Sequence, residues 1–219
     1  MDVLRKMKKG GRVVKCLFFL CLGFMVSAQS SAEVNDIVCG SLENHYGPYD
    51  YRSDKDKLGI VETFHLTSNV INLSSAQSAS TVGGDLDYTL RAFPNHHIAL
   101  MAMTRLGEKE KLAKPRGAKF SVECYLQRAF RFRNDDTTVK MLYAAYLAKS
   151  GKKTEALAML DEMVNAEEET ANVYYNIGLI YFELKDYEKS LSYARRAYDL
   201  GFPLPGLRDK LKRAGKWKD

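Results

Sequence analysis

Residues 171–187 read Ala171-Asn172-Val173-Tyr174-Tyr175-Asn176-Ile177-Gly178-Leu179-Ile180-Tyr181-Phe182-Glu183-Leu184-Lys185-Asp186-Tyr187, and the rest of the chain is organised around them. Tyr174, Ile177 and Tyr181 stand at i, i+3 and i+7, which places them on one face of a helix. Lys185-Asp186 supplies a turn, and a second helix follows it. Gly178 and Ser190 are small where the two helices of such a hairpin cross and their backbones approach. Laid over the preceding segment, Thr137–Thr170, the segment Ala171–Leu204 repeats its small and large residues at an offset of 34. Ala144 falls on Gly178, Tyr143 on Ile177, Leu147 on Tyr181, Ala156 on Ser190, Leu157 on Leu191 and Met163 on Ala197. Self-similarity at a fixed period is the signature of stacked helical or β units that share one continuous core.

These positions resemble the tetratricopeptide repeat, whose unit is a pair of antiparallel helices with fixed small and large sites. The resemblance implies an all-α fold, a short superhelical array of helix pairs. It covers two regular repeats from Thr137 to Pro203 and one expanded repeat from about His97 to Asp136. In the expanded one, Gly107 to Lys119 forms an enlarged loop, and Ser121 to Phe132 is the second helix. A half repeat runs from Asp85 to Phe93, so the array occupies 85–203. Residues 29–84 form a partly irregular N-terminal extension. Beyond Pro203, residues 204–219 read as a capping helix, with Leu207, Leu211 and Trp217 covering the apolar face that the last hairpin leaves open.

In this family the first helix of each hairpin lines a concave groove. The resemblance therefore implies a partner-binding groove from Asn172, Tyr175, Leu179 and Phe182, with Asn176 and Glu183 beside them, and from Thr138, Met141, Ala145 and Lys149 in the repeat before. Such an apolar, aromatic surface suits a peptide or a helix held by a few anchors. The N-terminal segment, with Tyr46, Tyr49, Tyr51, Ile60, Val61, Phe64 and Leu66, is an alternative occupant from within the same chain.

The first 28 residues have the zones of a secretory signal: Arg5, Lys6, Lys8, Lys9, Arg12 and Lys15, then the apolar run from Cys16 to Val26, then Ser27-Ala28. That run is too short to span a bilayer, which needs about 20 residues, so cleavage and no stable membrane insertion are expected. The segment holds six of the 33 Lys+Arg and one of the 27 Asp+Glu, leaving 27 against 26. The formal charge of +6 thus belongs mostly to the signal, and no basic stripe remains for nucleic acid. The expected location is periplasmic or secreted. Of four cysteines, only Cys39 and Cys124 lie beyond the signal. In an oxidising compartment they either pair as a disulfide or stay as two separately buried thiols.

Four histidines, His45, His65, His96 and His97, crowd the N-terminal half near Cys39. Histidine and cysteine are the usual ligands of zinc and copper, which makes a metal- or small-ligand-binding accessory protein the competing function. The spacings contain no C-x-x-C and no H-x-x-x-H, so no metal ligand and no cofactor is assigned. Cys39 with His45 lacks a third orienting group for nucleophilic catalysis, and no enzyme is expected. Gly47-Pro48 marks a turn among tyrosines, where Asp50 and Arg52 are expected to join a polar network. Ser74 to Gly84 reads as a flexible connector or an exposed loop before a helix opened by Asp85. The function expected is an interaction module for a protein or peptide partner in the cell envelope.

Overall fold

Six helices begin on a residue whose side chain accepts a backbone N–H two or three positions on: Thr81, His96, Ser121, Asp136, Thr170 and Asp186. Each cap satisfies one of the donors that a helix start leaves without a partner. The structure is a computed structural model, described for residues 39–166 and 170–217. The expected signal, 1–28, lies outside the described residues. A short 3₁₀ turn, Lys55–Lys57, leads into α1 (Leu58–His65) and α2 (Ser68–Ile71). There follow α3 (Val82–Ala92), α4 (His97–Glu110), α5 (Val122–Phe132), α6 (Thr137–Lys149), α7 (Lys153–Ala166), α8 (Ala171–Glu183), α9 (Tyr187–Asp199) and α10 (Gly206–Arg213). The fold is all-α, and among the described residues there is no strand.

Neighbouring helices pair in sequence, α6 with α7 and α8 with α9, while α4, α6 and α8 also touch one another in turn. The first helices of successive pairs therefore form one inner row, and α5, α7 and α9 lie outside it. The start of α6 at Thr137 and of α8 at Ala171 are 34 apart, as are the starts of α7 at Lys153 and α9 at Tyr187. From α4 to α6, His97 to Thr137, the step is 40. The connection between α4 and α5, 111–121, is eight residues longer than the one between α6 and α7, a gain that the shorter α5 partly offsets, and α4 itself runs on to Glu110 rather than ending near Leu106.

The α8–α9 crossing is as tight as its small residues require. A β-carbon at Gly178 would lie 2.7 Å from Leu207 Cδ2 and 3.3 Å from Ser190 O. Ser190 Oγ donates to Gly178 O at 2.8 Å, so the hydroxyl is satisfied inside the contact. Leu207 and Leu211 of α10 are fully buried against Tyr174, Tyr175, Ala194 and Ala197, with Trp217 packed at the margin. Burying each leucine stabilises by about 2 kcal/mol, enough for a two-turn helix to seal the stack.

The N-terminal extension seals the other end. Leu58, Val61, Tyr46, Tyr49 and Tyr51 pack on Tyr88, Ala92 and Phe93 at the end of α3, while Leu66, Val70 and Leu73 join the main core beside Leu86 and Leu90. Phe64 and Ile60 remain more than half exposed. Residues 74–81 form a largely exposed loop, one of the two forms expected of them, and hydrogen bonds tie it to the helix that follows. The buried carboxylate of Asp85 accepts the N–H of Gln77 (2.6 Å), Ser78 (3.2 Å) and Ala79 (2.9 Å), and meets His65 Nδ1 at 2.8 Å. Burial opposes the charged form of Asp85, but these donors outweigh it and its pKa is lowered. The helix opens three residues earlier than Asp85, at Val82, on the Thr81 cap.

Candidate functional site

The inner row leaves a groove. A cavity of about 450 Å³ is lined by Met101 of α4, by Thr138, Met141, Leu142, Ala145 and Lys149 of α6, by Asn172, Asn176, Leu179, Ile180 and Glu183 of α8, and by Lys210 of α10. A second, of about 280 Å³, continues it over Ile71, Ile98, Met101, Arg105 and Glu108 to Tyr146. Both share Met101, Leu142, Ala145 and Lys149, so they form one trough across three helices.

Eight of the ten expected groove residues meet here: Thr138, Met141, Ala145, Lys149, Asn172, Asn176, Leu179 and Glu183. Tyr175 and Phe182 do not. Tyr175 is buried on the flank of α8 that meets α10 and the C-terminal turn, its ring stacked on Phe202 at 4.0 Å between centroids. Tyr175 occupies the register position of Met141, one repeat later, but the C-terminal turn supplies Phe202 and draws it out of the groove. Phe182 lies edge-on to Tyr187 and beneath Lys210 Nζ, 5.1 Å from its ring centre. At an offset of 34 the equivalent of Lys149 is Glu183, which does line the groove. The floor is therefore aliphatic and methionine-rich rather than aromatic, with Met101 42% exposed at its centre.

One lip carries two ion pairs in matching positions. Glu108 of α4 meets Lys149 of α6 at 2.9 Å, and Glu183 of α8 meets Lys210 of α10 at 2.9 Å. Both are partly exposed and worth little in stability. Their use is geometric: each spans neighbouring helices at the edge of the trough. On α8 the Asn176 amide donates back to Asn172 O at 2.8 Å, which orients its side chain along the groove wall.

Ile98, Met101 and Arg105 were not among the expected groove residues. The signal for them is the 40-residue step: Ile98 falls on Thr138, Met101 on Met141 and Arg105 on Ala145. The described part of the N-terminal extension, 39–84, does not fill the groove. Among the described residues only Ile71 reaches its margin, held there by Arg105 Nη2 donating to Ile71 O at 2.5 Å.

Cys39 and Cys124 are joined by a disulfide. Cys39 thus offers no thiolate, and His45 is exposed. Next to the bridge the buried Arg128 directs Nη1 at the carbonyls of Cys39, Gly40 and Ser41, 3.2, 3.1 and 2.5 Å away, and lies over the Phe120 ring at 4.6 Å. Burial lowers its pKa. Arg131 Nη2 adds a bond to Gly40 O at 2.8 Å. Further along, Asn95 Nδ2 donates to Asp50 Oδ1 (2.7 Å) and Asp136 Oδ2 (3.0 Å), while Arg133 Nε and Arg52 Nη2 reach Asp50 Oδ2 at 2.6 and 2.9 Å. Burial pushes Asp50 upward, but hydrogen bonds from Arg52, Asn95 and Arg133 prevail and hold it well below the usual carboxylate range.

The remaining histidines have structural partners. His65 stacks on Tyr88 beside Asp85, and His97 Nε2 meets Asp136 at 2.8 Å. His96, fully buried, accepts Ala99 N at Nδ1 and faces Glu62 Oε1 with Nε2 at 3.2 Å. That arrangement needs the neutral imidazole with its proton on Nε2, and burial lowers its pKa to about 3. No cluster of three or more His, Cys, Asp or Glu suited to a metal ion occurs among the described residues. No described helix is long and apolar enough to cross a membrane.

Compared with protein-family models, curated proteins and solved structures, the chain matches none of them.

Proposed function

We propose that this chain is an exported interaction module of the tetratricopeptide repeat type, holding a peptide or helix of an envelope partner in the groove of α4, α6 and α8. The observation that carries the reading is the convergence of Met101, Met141, Leu142, Ala145 and Leu179 on one open aliphatic trough edged by polar residues. Methionine is the side chain that adapts most readily to a partner's shape. With helices about 10 Å apart, the trough is about 20 Å across, which accommodates about 13 residues of helix. The disulfide supports an oxidising compartment, in keeping with a periplasmic or secreted location.

The test is site-specific photocrosslinking in living cells. A benzophenone amino acid at Ala145 or Leu179 is expected to give the same adduct, which Met141→Glu depletes. Ser192, exposed on the outer helix α9, should give none. Equal adducts from Ser192, or no adduct from either groove position, would refute the proposal.

A further inference from the structure

The largest cavity described, about 770 Å³, lies away from the groove, where the start of α7, the α8–α9 turn and the chain beyond α10 meet. Lys153, Lys185, Arg195 and Lys216 line it, against Asp186 and Glu188. Asp186 already uses Oδ1 to cap α9 through Lys189 N at 3.1 Å. Between the charges lies an apolar floor that includes Tyr187 and Leu191. Lys216 Nζ stands 5.6 Å from the Tyr187 ring centre.

Two observations single the cleft out. Charge is segregated along the chain: residues 29–184 hold 17 Lys+Arg against 21 Asp+Glu, and residues 185–219 hold ten against five. The cleft sits in the basic part. The second is Lys185 itself, whose φ is +61° in the left-handed region. Gly151, 34 residues earlier, has φ +76° at the corresponding turn, where glycine meets no steric penalty. The last repeat keeps the left-handed turn and installs an ammonium in it, as Lys111 does at the end of α4 with φ +55°, but only Lys185 borders this cleft.

We propose that this cleft is a second docking site, taking an acidic segment of a partner protein whose carboxylates meet Lys153, Lys185 and Lys216 and whose apolar side chains rest on Tyr187 and Leu191. Charge complementarity and concavity argue for a peptide over a membrane surface. The carboxylates of Asp186 and Glu188 interrupt the cations in a way that suits spaced charges and repels a continuous sheet of phosphates. The exposed Leu200 and Leu204, the residues best suited to enter a bilayer, follow the opposite end of α9, about 18 Å away along the helix.

The experiment is fluorescence anisotropy of the intact protein with a short fluorescein-labelled peptide alternating Glu and Leu, its Lys-for-Glu counterpart, and phosphatidylglycerol vesicles as the competing surface. The acidic probe should bind, more weakly as salt rises. Lys185→Glu with Lys216→Glu should weaken it about tenfold or more. Lys185→Gly, which restores the residue of the preceding repeat, should give a smaller loss, and Met141→Glu in the groove none. No binding of the acidic probe would overturn the proposal. So would equal binding of the basic probe, indifference to the double charge reversal, or stronger binding of vesicles through the same lysines.

Discussion

The two ends of this molecule are sealed by different physics. At the C-terminal end, 137–217, neighbours in sequence pack on one another through apolar and aromatic surfaces, and α10 closes the stack with Leu207 and Leu211. At the N-terminal end, 39–96, the apolar packing of Leu58, Val61, Leu66 and Val70 is joined by directional contacts to distant residues: the disulfide, the Arg128 carbonyl cluster and the Asp50–Asn95–Asp136 network. Packing of the first kind is distributed and survives the loss of one member in part. The second kind adds to its packing a few long-range bonds that fix where the segment docks.

The comparison can be broken most forcefully at the bridge. Cys39→Ser with Cys124→Ser reopens a loop spanning 85 residues and should cost about 4 kcal/mol in the chain-entropy picture, read from urea denaturation. A loss below about 1 kcal/mol would mean that the polar network alone holds the extension. Leu207→Ala tests the other end and should cost about 3 kcal/mol through lost burial and a cavity, while the N-terminal disulfide stays oxidised by mass spectrometry.

The smallest effect is one of pH. His96 is buried neutral, with its pKa lowered to about 3, so its contribution is fully present above the unfolded value near 6.5 and is lost as pH falls toward 3. Between pH 7 and pH 5 this should remove about 2 kcal/mol. His96→Asn, which keeps a helix-capping acceptor but does not titrate, should flatten that part of the stability profile. The lowered carboxyls of Asp50, Asp85 and Asp136 add their own loss only below about pH 4.

The same contrast explains what the sequence revealed. Helix pairs from Thr137 onward were legible because the 34-residue offset carries Ala144 onto Gly178 and Ala156 onto Ser190, and local register is what periodicity reports. The α4 contribution to the groove was hidden by a single expanded loop, which shifts Met101 to a step of 40 from Met141. Tyr175 was misplaced for another reason: register gives a position on a helix, but the C-terminal turn decides what covers it. The N-terminal contacts were illegible in detail. Arg128 and Ser41, or Arg133 and Asp50, lie more than 80 residues apart and belong to no repeating pattern. The count of two cysteines beyond the expected signal, and the polar network expected of Asp50 and Arg52, were the hints of such a tie. At residues 74–84 composition left a flexible connector and an exposed loop open, and gave no sign that one buried acid, Asp85, fixes the run.

The most direct test of this division is hydrogen exchange followed by mass spectrometry, with and without reduction of the disulfide. Reduction should strip protection from the amides of residues 39–73 and leave those of α6 to α10 close to their oxidised rates. Uniform loss along the whole chain, or an N-terminal segment that keeps its protection without the bridge, would contradict the account.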